Sequence, residues 1–285
     1  MSNSNNISSY KIDAHQHFWL FDKKRHAWIN DEMNIIQRDF MPQDLEPVLT
    51  GNGFDGCVLV QVDQTEEENE FQLNNADAFD FIKGVVGWVD LRADNIEERL
   101  EYYSGFKKMR GFRHILQGET DRALMLQPAF KRGTSLLDKY SFTYDILIFP
   151  DQLKYALELV AEFPHQRFVV DHIAKPYIKD GRIDEWREDM LSFKEYSNVY
   201  AKISGMVTEA DWKQWKPADF KPYIDTVVEA FGTQRIMYGS DWPVCLVAGS
   251  YEAMLNIVKD YFASFTEAEQ AAFFGGNATR FYHLR

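Results

Sequence analysis

The stretch Phe142-Thr-Tyr-Asp-Ile-Leu147, Pro150-Asp151, Leu153-Lys-Tyr-Ala-Leu-Glu-Leu-Val-Ala161, Arg167-Phe-Val-Val-Asp171 reads as strand, turn, helix and strand. The two flanking runs are short and mostly apolar, without strict polar alternation, as expected of strands covered on both faces. Between them, Asp151 follows Pro150 as a candidate N-cap. Leu153, Ala156, Leu157, Val160 and Ala161 then fall on one helical stripe. A strand, a helix and a second buried strand imply a parallel pair joined by a crossover.

Outward from this unit, the pattern repeats along the chain. Strand-like runs stand at Tyr10–His17, Gly56–Val62, Gly84–Val89, Gly111–Ile115, Phe142–Leu147, Arg167–Asp171, Val199–Ile203 and Arg235–Tyr238. Helical stretches separate them. Ser250 is placed to cap a helix carrying Met254, Ile257, Val258, Tyr261 and Phe265. Thr266 with Glu269 fits a capping box, and Gly275-Gly276 a stop. Eight strand–helix alternations predict an α/β protein built as a single (β/α)8 barrel of the TIM type. An open doubly wound sheet is the structural alternative, but no G-x-G-x-x-G turn follows any strand. The Ser/Asn-rich residues 1–9 read as a disordered tail, which leaves 10–285 for the barrel. Trp212–Pro217, after the seventh strand, reads as an ordered loop or short helix on the side where barrel sites form.

Composition narrows the function. The chain has 285 residues, 45% of them hydrophobic, and a net charge of −13. That charge repels phosphate backbones and argues against a nucleic-acid partner. No apolar run approaches the ~20 residues of a membrane span, and the polar start lacks a signal peptide's apolar core. Two cysteines, Cys57 and Cys245, give neither a disulfide framework nor a cysteine zinc site, so a reducing, cytoplasmic location is expected. A homo-oligomer is allowed.

Three places carry chemistry. In Asp13-Ala14-His15-Gln16-His17, strand alternation sends His15 and His17 to one face with Asp13 below them. Paired imidazoles there can bind a metal or polarise a carbonyl. In Tyr238-Gly-Ser-Asp241-Trp242-Pro243, Asp241 finishes the last strand, where barrel enzymes place catalytic groups; a carboxylate there can take a proton from water. In Val169-Val-Asp171-His172, with Lys175-Pro176 beyond, His172 ends the sixth strand. Asp171 should face the other way, as a structural group or one that orients a neighbour.

Arg113 and His114 close the fourth strand. They alternate in facing, so one of them is expected to reach the pocket and bind a carboxylate, hydroxyl or lactone oxygen. Gln61, Asp63, Trp88, Asp90 and Ser204 are further strand-end candidates. Trp19 and Trp242 are placed to flank a substrate ring by apolar stacking, with ordinary packing as the equal alternative. His26, His165 and His283 read as surface or structural, and Glu66–Glu68 as a solvated helix start.

At these residues the chain resembles the amidohydrolase-2 branch of the amidohydrolase superfamily. The motifs are His15-x-His17, Asp171-His172 with Lys175-Pro176, and Gly239-Ser-Asp-Trp-Pro243. Ile12–Trp19 and Gly276–Tyr282 are similar in particular to its sugar-lactonase group, which includes L-fucono- and L-rhamnono-lactone hydrolases and 2-pyrone-4,6-dicarboxylate lactonases. The resemblance implies a (β/α)8 barrel with His15, His17, His172 and Asp241 at the active centre; Lys175 is a further substrate-binding candidate. It implies Asp241 as general base, acting on a small-molecule lactone. No lysine ends strand four, where two-metal members carry a bridging one, so one metal at most is implied. His15, His17, His172 and Asp241 suit a single Zn²⁺, and the same four can work without metal through imidazole hydrogen bonds; the residues leave both open.

The function expected is hydrolysis of a sugar-acid lactone to the aldonate. Asp241 activates a water, and the imidazoles, with or without metal and with Arg113 or His114, stabilise the oxyanion. The alternatives are a zinc-dependent decarboxylase of the same branch and a non-catalytic barrel that binds sugar acids.

Overall fold

Eight strands hydrogen-bond side by side in chain order. They are β1 (Ile12–Gln16), β2 (Gly56–Val60), β3 (Ile82–Gly87), β4 (Met109–His114), β5 (Thr143–Ile146), β6 (Phe168–Val170), β7 (Val199–Ile203) and β8 (Ile236–Tyr238). The structure is a computed structural model that describes residues 10–284; the tail read at 1–9 lies outside them. A helix follows each strand: α1 (Pro42–Gly51), α2 (Glu66–Ala78), α3 (Ile96–Ser104), α4 (Pro128–Leu137), α5 (Leu153–Glu162), α6 (Asp184–Ser192), α7 (Pro217–Phe231) and α8 (Tyr251–Phe262). Two short helices, α9 (Glu267–Ala271) and α10 (Asn277–Phe281), complete the chain.

Every strand pair is parallel. The sheet closes where β1 meets the end of β8. Gln16 bridges Trp242, the His17 amide donates to the Trp242 carbonyl at 2.8 Å, and the Asp241 amide donates to the His15 carbonyl at 2.8 Å. The open-sheet alternative is thereby excluded, and the fold is the (β/α)8 barrel.

Strand alternation sorts the apolar residues into two layers. Ile12, Ala14, Val58, Val60, Val86, Val169 and Met237 point into the barrel, where they meet Ala278, Phe281 and Tyr282 near the end of the chain. Those last residues form a floor under the strands. The intervening residues, among them Cys57, Leu59, Phe112, Tyr144, Val170, Ala201 and Ile236, pack outward with the helices. Burying each such Val or Leu stabilises the fold by roughly 1.5–3 kcal/mol.

Four local expectations are corrected. Asp151 does not cap α5. It lies inside a 3₁₀ turn over Pro150–Gln152, and its carboxylate pairs with Arg122 at 2.7 Å. The buried stripe of α5 is Leu153, Ala156, Leu159 and Val160, with Leu157 half-buried and Ala161 exposed. Ser250 and the Thr266–Glu269 box do cap their helices. Gly275 interrupts the last helical segment without ending it: a Cβ there would stand 1.8 Å from the Tyr10 carbonyl, so glycine lets the chain pass under β1 before α10. The start of α2 is not uniformly solvated. Glu68 is buried and accepts from the Val62 amide, while Glu66 pairs with Arg99 and Tyr103. Among the described residues, no helix is long and apolar enough to cross a membrane.

Candidate active site

The first imidazole pair rests on an irregular strand. The β1–β2 register shifts between Asp13 and Gln16, so strict alternation fails there. Asp13 does not lie beneath the histidines. It turns toward α8, accepting from the Ser240 amide at 2.9 Å and the Tyr251 hydroxyl at 3.1 Å. His15 and His17 both reach the centre, with Nε2 atoms 3.2 Å apart. His17 donates its Nδ1 hydrogen to the Val60 carbonyl at 2.7 Å, which turns its Nε2 toward the centre.

The other two groups arrive through left-handed backbone. His172, Ile173, Ala174 and Lys175 follow β6 with φ of 51°, 47°, 58° and 49°. For residues with a Cβ this costs roughly 1–2 kcal/mol each. The turn is held by the Trp186 indole on the Ile173 carbonyl at 2.8 Å and by the Lys175–Glu209 pair at 3.0 Å. Asp241 has φ of 59°. Its Oδ1 lies 3.4 Å from His17 Nε2 and 3.9 Å from His172 Nε2. Gly205, at φ of 61°, lets β7 pass close to both: a Cβ would stand 2.5 Å from His172 Nδ1 and 3.2 Å from Asp241 Oδ2. Strained backbone concentrated on these residues is the pattern expected of a working site.

Beneath them lies a charged layer. Arg113, Asp145, Asp171 and Lys202, from β4, β5, the end of β6 and β7, point inward and are 0–4% exposed. Arg113 Nη1 meets Asp171 Oδ2 at 3.0 Å. Lys202 Nζ meets Asp145 at 2.6 Å, Asp171 Oδ1 at 3.1 Å and His15 Nδ1 at 3.2 Å. Tyr282 donates to Asp145 from the floor at 2.7 Å. Two cations and two carboxylates make this layer neutral, the condition under which buried charge is tolerated. Sequence reading placed Asp171 on the opposite face. The pleat instead points Asp171 inward with Val169, and His172 joins it only through the left-handed turn. Lys202 and Asp145 were not singled out at all. Their signal was one ionisable residue at an inward position of an otherwise apolar strand.

Electrostatics follow from this packing. Burial pushes His15 and His172 well below the usual imidazole value, against the pull of Asp171 and Asp241 respectively, so both are neutral at pH 7. Burial alone would raise Asp171, but Lys202, His15 and Arg113 hold it well below the usual carboxylate range. Asp241 is likewise raised by burial and brought below its ordinary value by His172, His17 and Lys175. An ionised carboxylate thus faces the neutral imidazole of His172, a protonation state that suits a general base.

The remaining candidates separate cleanly. Arg113, not His114, faces the centre; Gln61 Oε1 accepts from its Nε and Nη2 at 3.2 and 2.8 Å and fixes its plane. His114 points outward, accepting from the Trp88 indole at 3.3 Å and donating to Glu119 at 2.7 Å. Ser204 Oγ lies 2.9 Å from His172 Nδ1. Trp19 and Trp242 do not present free faces: both are 2–3% exposed and packed edge-on around Phe40. Lys175 is committed to Glu209. Asp63 pairs with Arg25, and Asp90 with Arg92. His26 is buried and structural, accepting from the Asp22 amide at 3.1 Å. Glu209 and Trp212 line a cleft of about 680 Å³ with Asp31, Glu32 and Lys179, from loops that follow β1, β6 and β7.

Ligand atoms of His15, His17 and Asp241 lie within 4.8 Å of one another, a donor set of two nitrogens and one oxygen that suits a divalent cation. His15, Asp171 and His172 form a second such group, but Lys202 and Arg113 already neutralise its carboxylate. His172 stands outside the first group, so the four-ligand set reduces to three with His172 beside it.

An imidazole pair on the first strand, a third imidazole after the sixth and a carboxylate after the eighth meet at the C-terminal mouth of a (β/α)8 barrel, the end where barrel enzymes carry their active sites. The family described as amidohydrolase matches residues 12–284, and the chain belongs to it. It is 36% identical to an L-fucono-1,5-lactonase of Burkholderia multivorans, an alignment covering 98% of this chain and 97% of that protein. It is 34% identical to an L-fucono-1,5-lactonase of Burkholderia ambifaria, over 97% and 96% of the two chains. A crystal structure of an amidohydrolase from Burkholderia multivorans with bound zinc superposes with a TM-score of 0.93 at 36% identity, covering 96% of this chain and 99% of that one.

Proposed function

We propose that the chain hydrolyses a sugar-acid lactone of the L-fuconolactone type to its aldonate. The observation that carries this is Asp241, an ionised carboxylate held 3.4 Å from His17 and beside neutral His172 at the barrel mouth. The two lactonases that share its full length support the choice of substrate class.

Asp241 accepts a proton from water as the water oxygen bonds to the lactone carbonyl carbon. The ring C–O bond then breaks, and Asp241 returns the proton to the leaving ring oxygen. His15, His17 and His172 surround the point where the carbonyl oxygen gains charge. Arg113 adds a fixed positive charge behind His15, with Nη1 3.3 Å from its Nε2. His15, His17 and Asp241 would hold a divalent cation, with Zn²⁺ the one their donor types favour. A bound cation supplies Lewis acidity at the carbonyl. The product acid ionises in solution and releases a proton.

The test is acidification of a weakly buffered indicator solution by the purified protein on a panel of sugar lactones, with uncatalysed opening subtracted. Rapid acidification with a 6-deoxy-sugar lactone is expected. No acidification across the panel, with carbon dioxide released from carboxylated ring substrates, would overturn lactone hydrolysis in favour of decarboxylation.

A further inference from the structure

The cleft of about 680 Å³ at the barrel mouth begins one short turn of chain from the catalytic groups. Gly205 packs against His172 and Asp241, and the 3₁₀ turn Met206–Glu209 that follows it carries Glu209 to the cleft wall. Thr208 Oγ1 donates to the Gly205 carbonyl at 2.6 Å and ties that turn back to the glycine. From the other side, Lys175, on the left-handed turn that carries His172, donates to Glu209 Oε1 at 3.0 Å. Lys175 also stands near enough to Asp241 to help keep that carboxylate ionised. The Lys179 amide donates to the Glu209 carbonyl at 2.9 Å. Glu209 is therefore held by main chain and side chain between the loops after β6 and β7, and its Oε2 has no partner among the described residues.

Trp212 lines the same cleft. Its ring is half-buried against the core, and its indole N–H donates to the Thr208 carbonyl at 2.9 Å. With that one donor spent, Trp212 offers the cleft only apolar ring surface. An accepting carboxylate oxygen and such a ring in one cleft suit a ligand that carries hydroxyl donors and an apolar C–H face. The four catalytic residues are not part of the cleft lining, so this surface can hold only the part of a substrate that does not react. We propose that Glu209 and Trp212 select the substrate: Glu209 Oε2 accepts from the hydroxyls of the sugar ring, and Trp212 stacks on its C–H face. The inference rests on the lactonase reading and adds to it the reason a hydroxylated ring is preferred to a bare one.

The test uses the full chain and L-fucose, a stable neutral ring that has the hydroxyls but no lactone bond to open. Saturation-transfer NMR should detect its ring protons on the parent protein. Titration should show binding weakened by about tenfold in Glu209→Gln and in Trp212→Ala, and restored to within about threefold of the parent in Trp212→Phe. In turnover, Glu209→Gln should narrow the preference in kcat/KM for L-fuconolactone over δ-valerolactone, which has no hydroxyls, by about tenfold. No binding of L-fucose to the parent, equal binding to parent and variants, no recovery in Trp212→Phe, or an unchanged lactone preference overturns the proposal. The Glu209→Gln titration decides even if Trp212→Ala fails to fold. A parent that opens no lactone yet binds L-fucose through Glu209 and Trp212 overturns the lactonase reading and upholds the cleft as a sugar site.

Discussion

The main-chain amide of Asp241 donates to the carbonyl of His15 at 2.8 Å, so the seam that closes the barrel also sets the carboxylate beside the first imidazole pair. The site's geometry is therefore fixed by backbone, and side chains within it can be changed without opening the sheet. Asp241→Asn is the sharpest use of this. Asparagine tolerates the left-handed φ of 59° and keeps the shape, but it cannot accept a proton. The variant should fold with unchanged circular dichroism and lose on the order of 10²–10⁴-fold in kcat. Turnover within a few-fold of the parent would remove Asp241 from the base role.

Gly205 tests how closely the site is packed from behind. In Gly205→Ala the new methyl would fall 2.5 Å from His172 Nδ1 and add left-handed strain. His172 must move away from Ser204 and Asp241. A fall in melting temperature together with a loss of about 100-fold or more in kcat is expected. Normal activity would show that the His172 position does not matter.

The left-handed turn after β6 makes a prediction at a distance. Trp186 sits on α6, packs against Tyr223, and holds the Ile173 carbonyl. Trp186→Phe removes that hydrogen bond and leaves a buried acceptor, which should cost about 1–3 kcal/mol in urea unfolding. Because the turn carries His172, kcat should fall while bound substrate is still held. A stability loss with no change in kcat would separate the turn from the chemistry.

Cation binding can be read without any turnover. At a concentration of about 100 times its Kd, Zn²⁺ should add roughly 2.7 kcal/mol to the unfolding free energy and raise the melting temperature. The effect should vanish in His17→Ala, which removes a donor from the His15–His17–Asp241 group. An equal shift in that variant would place the ion elsewhere.

Glu68 carries a pH dependence separate from the site. Burial raises its carboxyl above the usual value, against its hydrogen bonds from Val62 and Gln72. The folded protein then holds this proton to higher pH than the unfolded chain. Its contribution to stability is greatest below the unfolded value of about 4.3 and falls as pH rises through the folded one. Glu68→Gln should gain stability relative to the parent as pH rises from about 4 to about 7. Parallel urea-unfolding profiles for the two proteins would contradict this.

The barrel was legible because its signal is repeated eight times: short apolar runs between amphipathic helices leave little freedom in topology. The candidate site was legible only where residues stand at strand ends. His15, His17, His172 and Asp241 do converge in the structure. Alternation misplaced Asp13 because the register slips on β1, and it misplaced Asp171 because the backbone turns left-handed at the next residue. Neither event has a marker at those positions, since glycine is absent from both. Lys202 and Asp145 escaped notice because each looks like a lone charge in a strand. Their meaning lies in facing one another across the barrel, which no local pattern carries.

The closing seam has a consequence for the chain as an inheritable unit. His15 and His17 belong to the first quarter of the barrel and Asp241 to the last, while Arg113 and Lys202 come from opposite halves. Neither half-barrel contains a workable subset. Cleaving the chain in the loop before β5 would give two fragments that are each silent, and recovered turnover on mixing them would report reassembly of the whole ring.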